Sequence, residues 1–375
     1  QITDHLSGSF NNYGIPGAKS FHLGIPGYAS LNPYFGRMAS SPTATVIGDA
    51  VAQNPTFFTL SEIGGNDVLS YATSGGTGVD QTGNLNPATY GVNDITDPNV
   101  FAASFSAAVD ALTANGAKGV VTNVPYITSL AHFTTVPYNP VPLDAGTAAV
   151  VNNAYAAYNA GVAQAFAYLV GIGAVSQADA DVEIAKRTIM FEASESNAVV
   201  IMDEDLTDLT AINPQLVSMR QATADDLLVL PASSFIGTEA VPGNPLTVNG
   251  VAIPLADKWV LTPEEQQAIK TATDAYNVTI ESVANANGLA MVDFKSILIE
   301  ASTTGIASGN YILNTSLVTG GLISLDGVHL TSRGYAVMAN EMMRAIDATY
   351  GSNFEASGNF VDCGDYPTNY SPSLQ

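Results

Sequence analysis

The sequence predicts an α/β protein built on a parallel sheet, and three observations lead there. Apolar runs rich in β-branched residues alternate with segments of helical period, as they do when strands are joined by crossover helices. The stretch "FFTLSEIGGNDVLSYATSGG" (57–76) runs apolar and then breaks into glycines, an asparagine and an aspartate, the form of a strand arriving at a sheet edge. Near the other end, "LTPEEQQAIK" carries a strong helix-start signal shortly before the apolar run "GLAMVDF".

In chain order, the strand spans Thr56–Ile63, and a helix over 101–115 follows, which Gly116 can terminate. "GAKGVVTNVP" supplies a second strand, Gly119–Val124. Between Tyr126 and Trp259 the alternation loosens. A Pro-rich loop leads into a long Ala-rich helix, and "TIMFEASESNAVVIMDED" reads as two strands around a polar turn at 194–197. Residues 126–260 are therefore expected to form an insertion or cap with its own hairpin, inside a single domain covering 1–375. Thr262 is then an N-cap, Pro263 the first helical residue and Glu265 the far member of a capping box. That helix runs to about Asn287 with Ile269, Ala272, Tyr276 and Ile280 on its buried stripe, and Gly288 stops it. The third strand is Leu289–Phe294.

The bulk numbers narrow the function. With 375 residues and 46% hydrophobic content the chain can fill a sizeable core. Against 34 Asp and Glu stand 11 Lys and Arg, a formal charge of −23, so phosphate backbones and anionic membrane surfaces are repelled and nucleic acid is not a partner. No apolar run approaches the ~18–20 residues of a membrane span. The single cysteine, Cys363, forms no internal disulfide and is expected to be at most an exposed thiol. No signal peptide precedes Gln1, so the chain reads as cytoplasmic, already processed or a fragment.

Three short motifs carry chemistry. In "IGGND", Gly64 and Gly65 allow a tight turn and Asn66 offers two uncharged N–H donors. On this motif alone a ligand-facing donor and a helix cap or turn support read equally well. In "SLDGVHLTSRGYAVMANEMMRAID", Asp326 precedes His329 by three residues, a spacing that lets the carboxylate reach the imidazole. His5, His22 and His132 have no carboxylate so placed and read as satisfied structural residues. In "NNYGIPGAKS", Gly17 can turn a backbone N–H toward a ligand.

Taken in this order, the motifs resemble the GDSL-type, or SGNH, family of serine esterases and lipases, over most of the chain. The resemblance implies a flavodoxin-like three-layer α/β/α fold and hydrolysis of a carboxylic ester. "NNYGIPG" looks like the family's second block, making Gly17 the backbone oxyanion donor. "IGGND" looks like the third, making Asn66 the side-chain donor. "DGVHLT" looks like the fifth, making Asp326 and His329 acid and base. No metal or organic cofactor is implied. The implied substrate is a small-molecule, lipid or acylated-sugar ester, and the implied location is extracytoplasmic: secreted, periplasmic or on a surface lipoprotein after processing. The family's first block, Gly-Asp-Ser or Gly-Asn-Ser at the end of a central first strand, is not in the sequence. "QITDHLSGSF" lacks both the strand pattern and that context, so Ser7 and Ser9 are not read as nucleophiles. The expectation is an N-terminally incomplete domain, with the serine upstream of Gln1, open sheet edges and no covalent catalysis by the chain alone. The alternative is a non-catalytic glycan- or lipid-binding protein on the same scaffold.

Among other features, "MDEDLTDL" gathers Asp203, Glu204, Asp205 and Asp208 without the periodicity of a calcium loop and reads as a solvated acidic face. "SGGTGVD" reads as a flexible loop. Tyr28, Tyr34, Phe35 and Tyr71 are candidates for a pocket lining or for packing under loops.

Overall fold

The computed structural model describes residues 4–369. The fold is mixed α/β, and the chain separates into two compact units. One comprises 1–71, 78–131 and 268–375; the other comprises 72–77 and 132–267.

The first unit is organised by a three-stranded parallel sheet of Phe57–Leu60, Lys118–Thr122 and Ala290–Val292, with Lys118–Thr122 in the centre. Phe58 pairs with Gly119 and Val120 with Ala290. All three strands are shorter than their apolar runs, the paired ladder covering only part of each. Val120, Ala290 and Val292 form a dry cluster, closed by Met342, Ile346 and Tyr350 of the Ser332–Tyr350 helix. Tyr350 does more than pack: its hydroxyl donates to the Gly119 carbonyl (2.8 Å) and accepts from the Gly119 N–H (3.2 Å). Gly119 itself has no room for a side chain, since a Cβ would run into the Phe58 ring.

The helix expected over 101–115 spans Pro98–Thr113. It starts earlier because Asp97 accepts from the N–H groups of Asn99 and Val100, with Pro98 at the first helical position. Phe101 stacks on Tyr276 with ring centroids 4.3 Å apart, and the Tyr276 hydroxyl donates to the Thr96 carbonyl. The capping box holds. The Thr262 N–H donates to Glu265 Oε2 (2.7 Å) and the Glu265 N–H to Thr262 Oγ1 (3.4 Å), opening a helix over Pro263–Ala286. Ile269, Ala272, Tyr276 and Ile280 are all buried along it.

The second unit corrects the hairpin expectation. Residues Ser194–Asn197 are a strand, paired antiparallel with Val141–Leu143, and Val200–Met202 pairs with Met219–Gln221 instead. The polar run is a strand because Asn197 serves the backbone from its side chain, accepting from Glu192 N–H and donating to the Val141 and Glu192 carbonyls. The Ala-rich helix is Ala145–Gly171, capped by Asp144 on the Thr147 N–H. Arg220 is buried between Asp203 (2.5 Å) and a bidentate Asp226 (2.7 Å to each oxygen). Asp203 is thus committed to an ion pair rather than to a solvated acidic face.

Cys363 is also placed differently: it is buried, with its Sγ donating to the Ser308 carbonyl at 3.3 Å. Tyr28, Phe35 and Tyr71 are buried packing residues and only Tyr34 of that group is exposed. "SGGTGVD" is not open chain, since Gly75 lies against the Asp257 carbonyl and Gly76 against the Glu265 carboxylate, too close for a Cβ at either. No helix among the described residues is long and apolar enough to cross a membrane.

Candidate active site

Asp326 and His329 sit in the turn that the Ile323–Leu330 bridge closes, just before the helix that Thr331 caps. The Ser324 N–H donates to the His329 carbonyl (2.7 Å), closing the turn, and Gly327 takes the left-handed φ of 77° that it requires. Asp326 Oδ1 accepts three donors: Ser324 Oγ (2.7 Å), the Val328 N–H (2.9 Å) and the His329 N–H (3.0 Å). Oδ2 meets His329 Nδ1 at 2.6 Å. Partial burial works to raise the Asp326 carboxyl, but these bonds outweigh it and hold it well below the usual carboxylate range. The carboxylate therefore stays charged and fixes the imidazole with Nδ1 toward it. The His329 side chain is 67% exposed, and among the described residues none bonds to its Nε2.

Asn66 is the second residue of the Gly65–Thr73 helix. A cap residue lies outside the helix and accepts; Asn66 lies inside and donates, its Nδ2 reaching the Ala18 carbonyl at 2.9 Å. One of its two N–H bonds is thus used to fasten the turn at Gly17, and the second is not. Gly64, at φ 104°, makes the bend before it, where a Cβ would lie 2.7 Å from Val124 Cγ2. Gly17 has φ 74°, and no described acceptor takes its N–H.

The structure thus ties Asn66 to the residue beside Gly17. Glu62, four residues before Asn66, has its carboxyl raised by burial, against which His329 acts. Tyr335 belongs to this neighbourhood: burial first, then the Glu62 and Asp326 charges, raise its hydroxyl above the usual value. Glu62 holds a left-handed φ of 61° and donates its N–H to Thr122 Oγ1 (2.9 Å).

Sequence reasoning missed the residue that locks this loop, Asp67. It is fully buried and accepts from both the Ser20 N–H (2.9 Å) and Ser20 Oγ (2.8 Å), fastening the Gly17 turn a second time. Its one signal was adjacency to Asn66 in "GGND", which does not reveal a partner 47 residues away. Lys19, buried alongside, donates to the Asp94 carbonyl. His22 is structural: its Nδ1 accepts the Lys19 N–H (3.0 Å) and its ring stacks on Tyr28. Ser9 Oγ bonds Gln53 Oε1 (2.5 Å) and not His329.

Comparison with protein-family models, with curated proteins and with solved structures returns no significant match.

Proposed function

We propose that the chain carries the acid–base and oxyanion groups of a carboxylic-ester hydrolase of SGNH type. The observation that carries the reading is the Asp326–His329 pair, a charged carboxylate with one oxygen saturated and the other on Nδ1, leaving Nε2 to serve as base. A serine hydroxyl would attack the ester carbonyl carbon while Nε2 takes its proton. The same proton then passes to the departing alkoxide, leaving an acyl-serine for water to cleave by the reverse order. The negative oxygen of the tetrahedral intermediate would accept the Gly17 N–H and the second N–H of Asn66. No described residue places a serine on Nε2, so the reading requires a serine that the described residues do not supply.

The test is a fluorophosphonate probe with a short-chain aryl ester, applied to the 375-residue chain and to a form extended upstream. The expected result is labelling and turnover of the extended form, both lost in His329→Ala, and neither in the shorter chain. An extended form that stays unlabelled while binding a glycan or lipid would replace this reading with the non-catalytic one. Labelling of the short chain at Ser7 or Ser9 would refute the assignment of the nucleophile.

A further inference from the structure

The second unit holds a group of carboxylates that the proposed hydrolase chemistry does not use. Glu204, Asp257 and Glu265 come from three separate segments, and one oxygen from each lies within 4.8 Å of the others. Two of the oxygens are buried without a hydrogen-bond partner, Asp257 Oδ1 and Glu265 Oε1. Glu265 is 96% buried by its 4% residual exposure, and its other oxygen is committed to the Thr262 N–H. No Lys or Arg among the described residues forms an ion pair with any of the three. Two carboxylate oxygens buried with no donor are costly, and no described protein group offsets them.

We propose that Glu204, Asp257 and Glu265 bind a calcium ion. The donors are all oxygen, with no histidine or cysteine in the group, which selects a hard cation over zinc or copper. Calcium takes six to eight oxygens in flexible geometry, which suits carboxylates from three separate segments better than the near-ideal octahedron that magnesium demands. Gly75 and Gly76 wall the cluster with bare backbone. A side chain at Gly76 would occupy the position of Glu265 Oε1, so glycine there leaves the carboxylate its place. Three carboxylates gathered this closely repel one another, and a bound dication reverses that repulsion. Of the acidic run 203–208 only Glu204 takes part in the cluster, which is why the run itself lacks calcium-loop periodicity.

Trp259, the only tryptophan, lies two residues from Asp257 and makes the test direct. The full chain, stripped with a chelator, is titrated with Tb3+ while exciting Trp259, and Ca2+ is then added in competition. The expected result is one saturable sensitised site, displaced by Ca2+. Glu204→Gln, at an exposed position, should weaken Ca2+ competition by about tenfold or more, and Asp257→Asn should abolish it. Calcium should also raise the thermal midpoint of the wild-type chain, and not that of Asp257→Asn. No competition at millimolar Ca2+, or binding that both variants leave unchanged, overturns the proposal; the latter would place the ion elsewhere on the acidic surface. A chelated Asp257→Asn protein that unfolds at a higher temperature than calcium-treated wild type would also overturn it, showing a cluster that a proton satisfies better than a metal.

Discussion

Replacing Asn66 by alanine separates the two jobs that its amide is placed to do. The structural job is one hydrogen bond, Nδ2 to the Ala18 carbonyl at 2.9 Å, between half-buried residues. Water can take over part of that bond, so its loss should remove about 1 kcal/mol of stability, lowering the midpoint by about 2–4 °C for a unit of this size. In the proposed reaction the chemical job would be that of the second N–H, offered to an oxyanion that exists only in the transition state. Loss of such a donor typically reduces turnover by about 10²–10³, or about 2.7–4 kcal/mol. The two effects differ in size by a factor of about three, so one variant measured both ways distinguishes them. Thermal unfolding and hydrolysis of a short-chain aryl ester, on a form that turns over esters, supply the two numbers. Asn66→Asp sharpens the contrast: it cannot donate, and it sets a carboxylate against the Ala18 carbonyl next to buried Asp67, so it should be less stable than the alanine variant. Turnover that falls by no more than the stability change would refute the oxyanion role and leave Asn66 a turn fastener.

Other outcomes follow from single observations. Arg220→Ala leaves the buried carboxylates of Asp203 and Asp226 without their cation and should lower unfolding free energy by about 3–5 kcal/mol in urea titrations; a change below about 1 kcal/mol would mean that water reaches them. His22 is held down to about 4, by burial first and the Lys19 charge second, against a usual 6.5. Its folded value is the lower one, so its contribution is present above pH 6.5 and is lost as pH falls from there through 4. His22→Gln should flatten the midpoint-against-pH curve in that window, and an unchanged slope would exonerate the residue. Cys363 should react with a thiol reagent only after denaturation, because its sulfur is buried on the Ser308 carbonyl; rapid native labelling would contradict its placement.

What the sequence disclosed was local. The Asp326–His329 spacing, the Thr262–Glu265 box and the stripe from Ile269 to Ile280 each depend on residues three or four apart, whose geometry a helix or tight turn dictates. The strands were legible as apolar runs, though not their ends. Contacts that join distant segments were not legible. Nothing near Asn66 names Ala18, nothing near Asp67 names Ser20, and Glu204 and Glu265 meet across 61 positions of sequence. The polar run 194–197 misled because its strand is supported by the Asn197 side chain rather than by alternating apolar residues. Cys363 misled because its position near the C-terminus suggested exposure, while Arg333 Nε reaches its carbonyl and holds the segment down.

The double hydrogen bond between Tyr350 and Gly119 bears on synthesis. Both backbone groups of a central-strand residue are satisfied by a phenol 231 positions further along. A ribosome emits Gly119 long before Tyr350, so throughout translation of the intervening chain those two groups are left to water rather than to the phenol. Loop closure of this length is slow relative to local helix formation, and the last helix becomes the closing step for the sheet. Vectorial emergence thus leaves the nascent protein with an exposed strand for most of its production, the interval in which a holding chaperone would matter most.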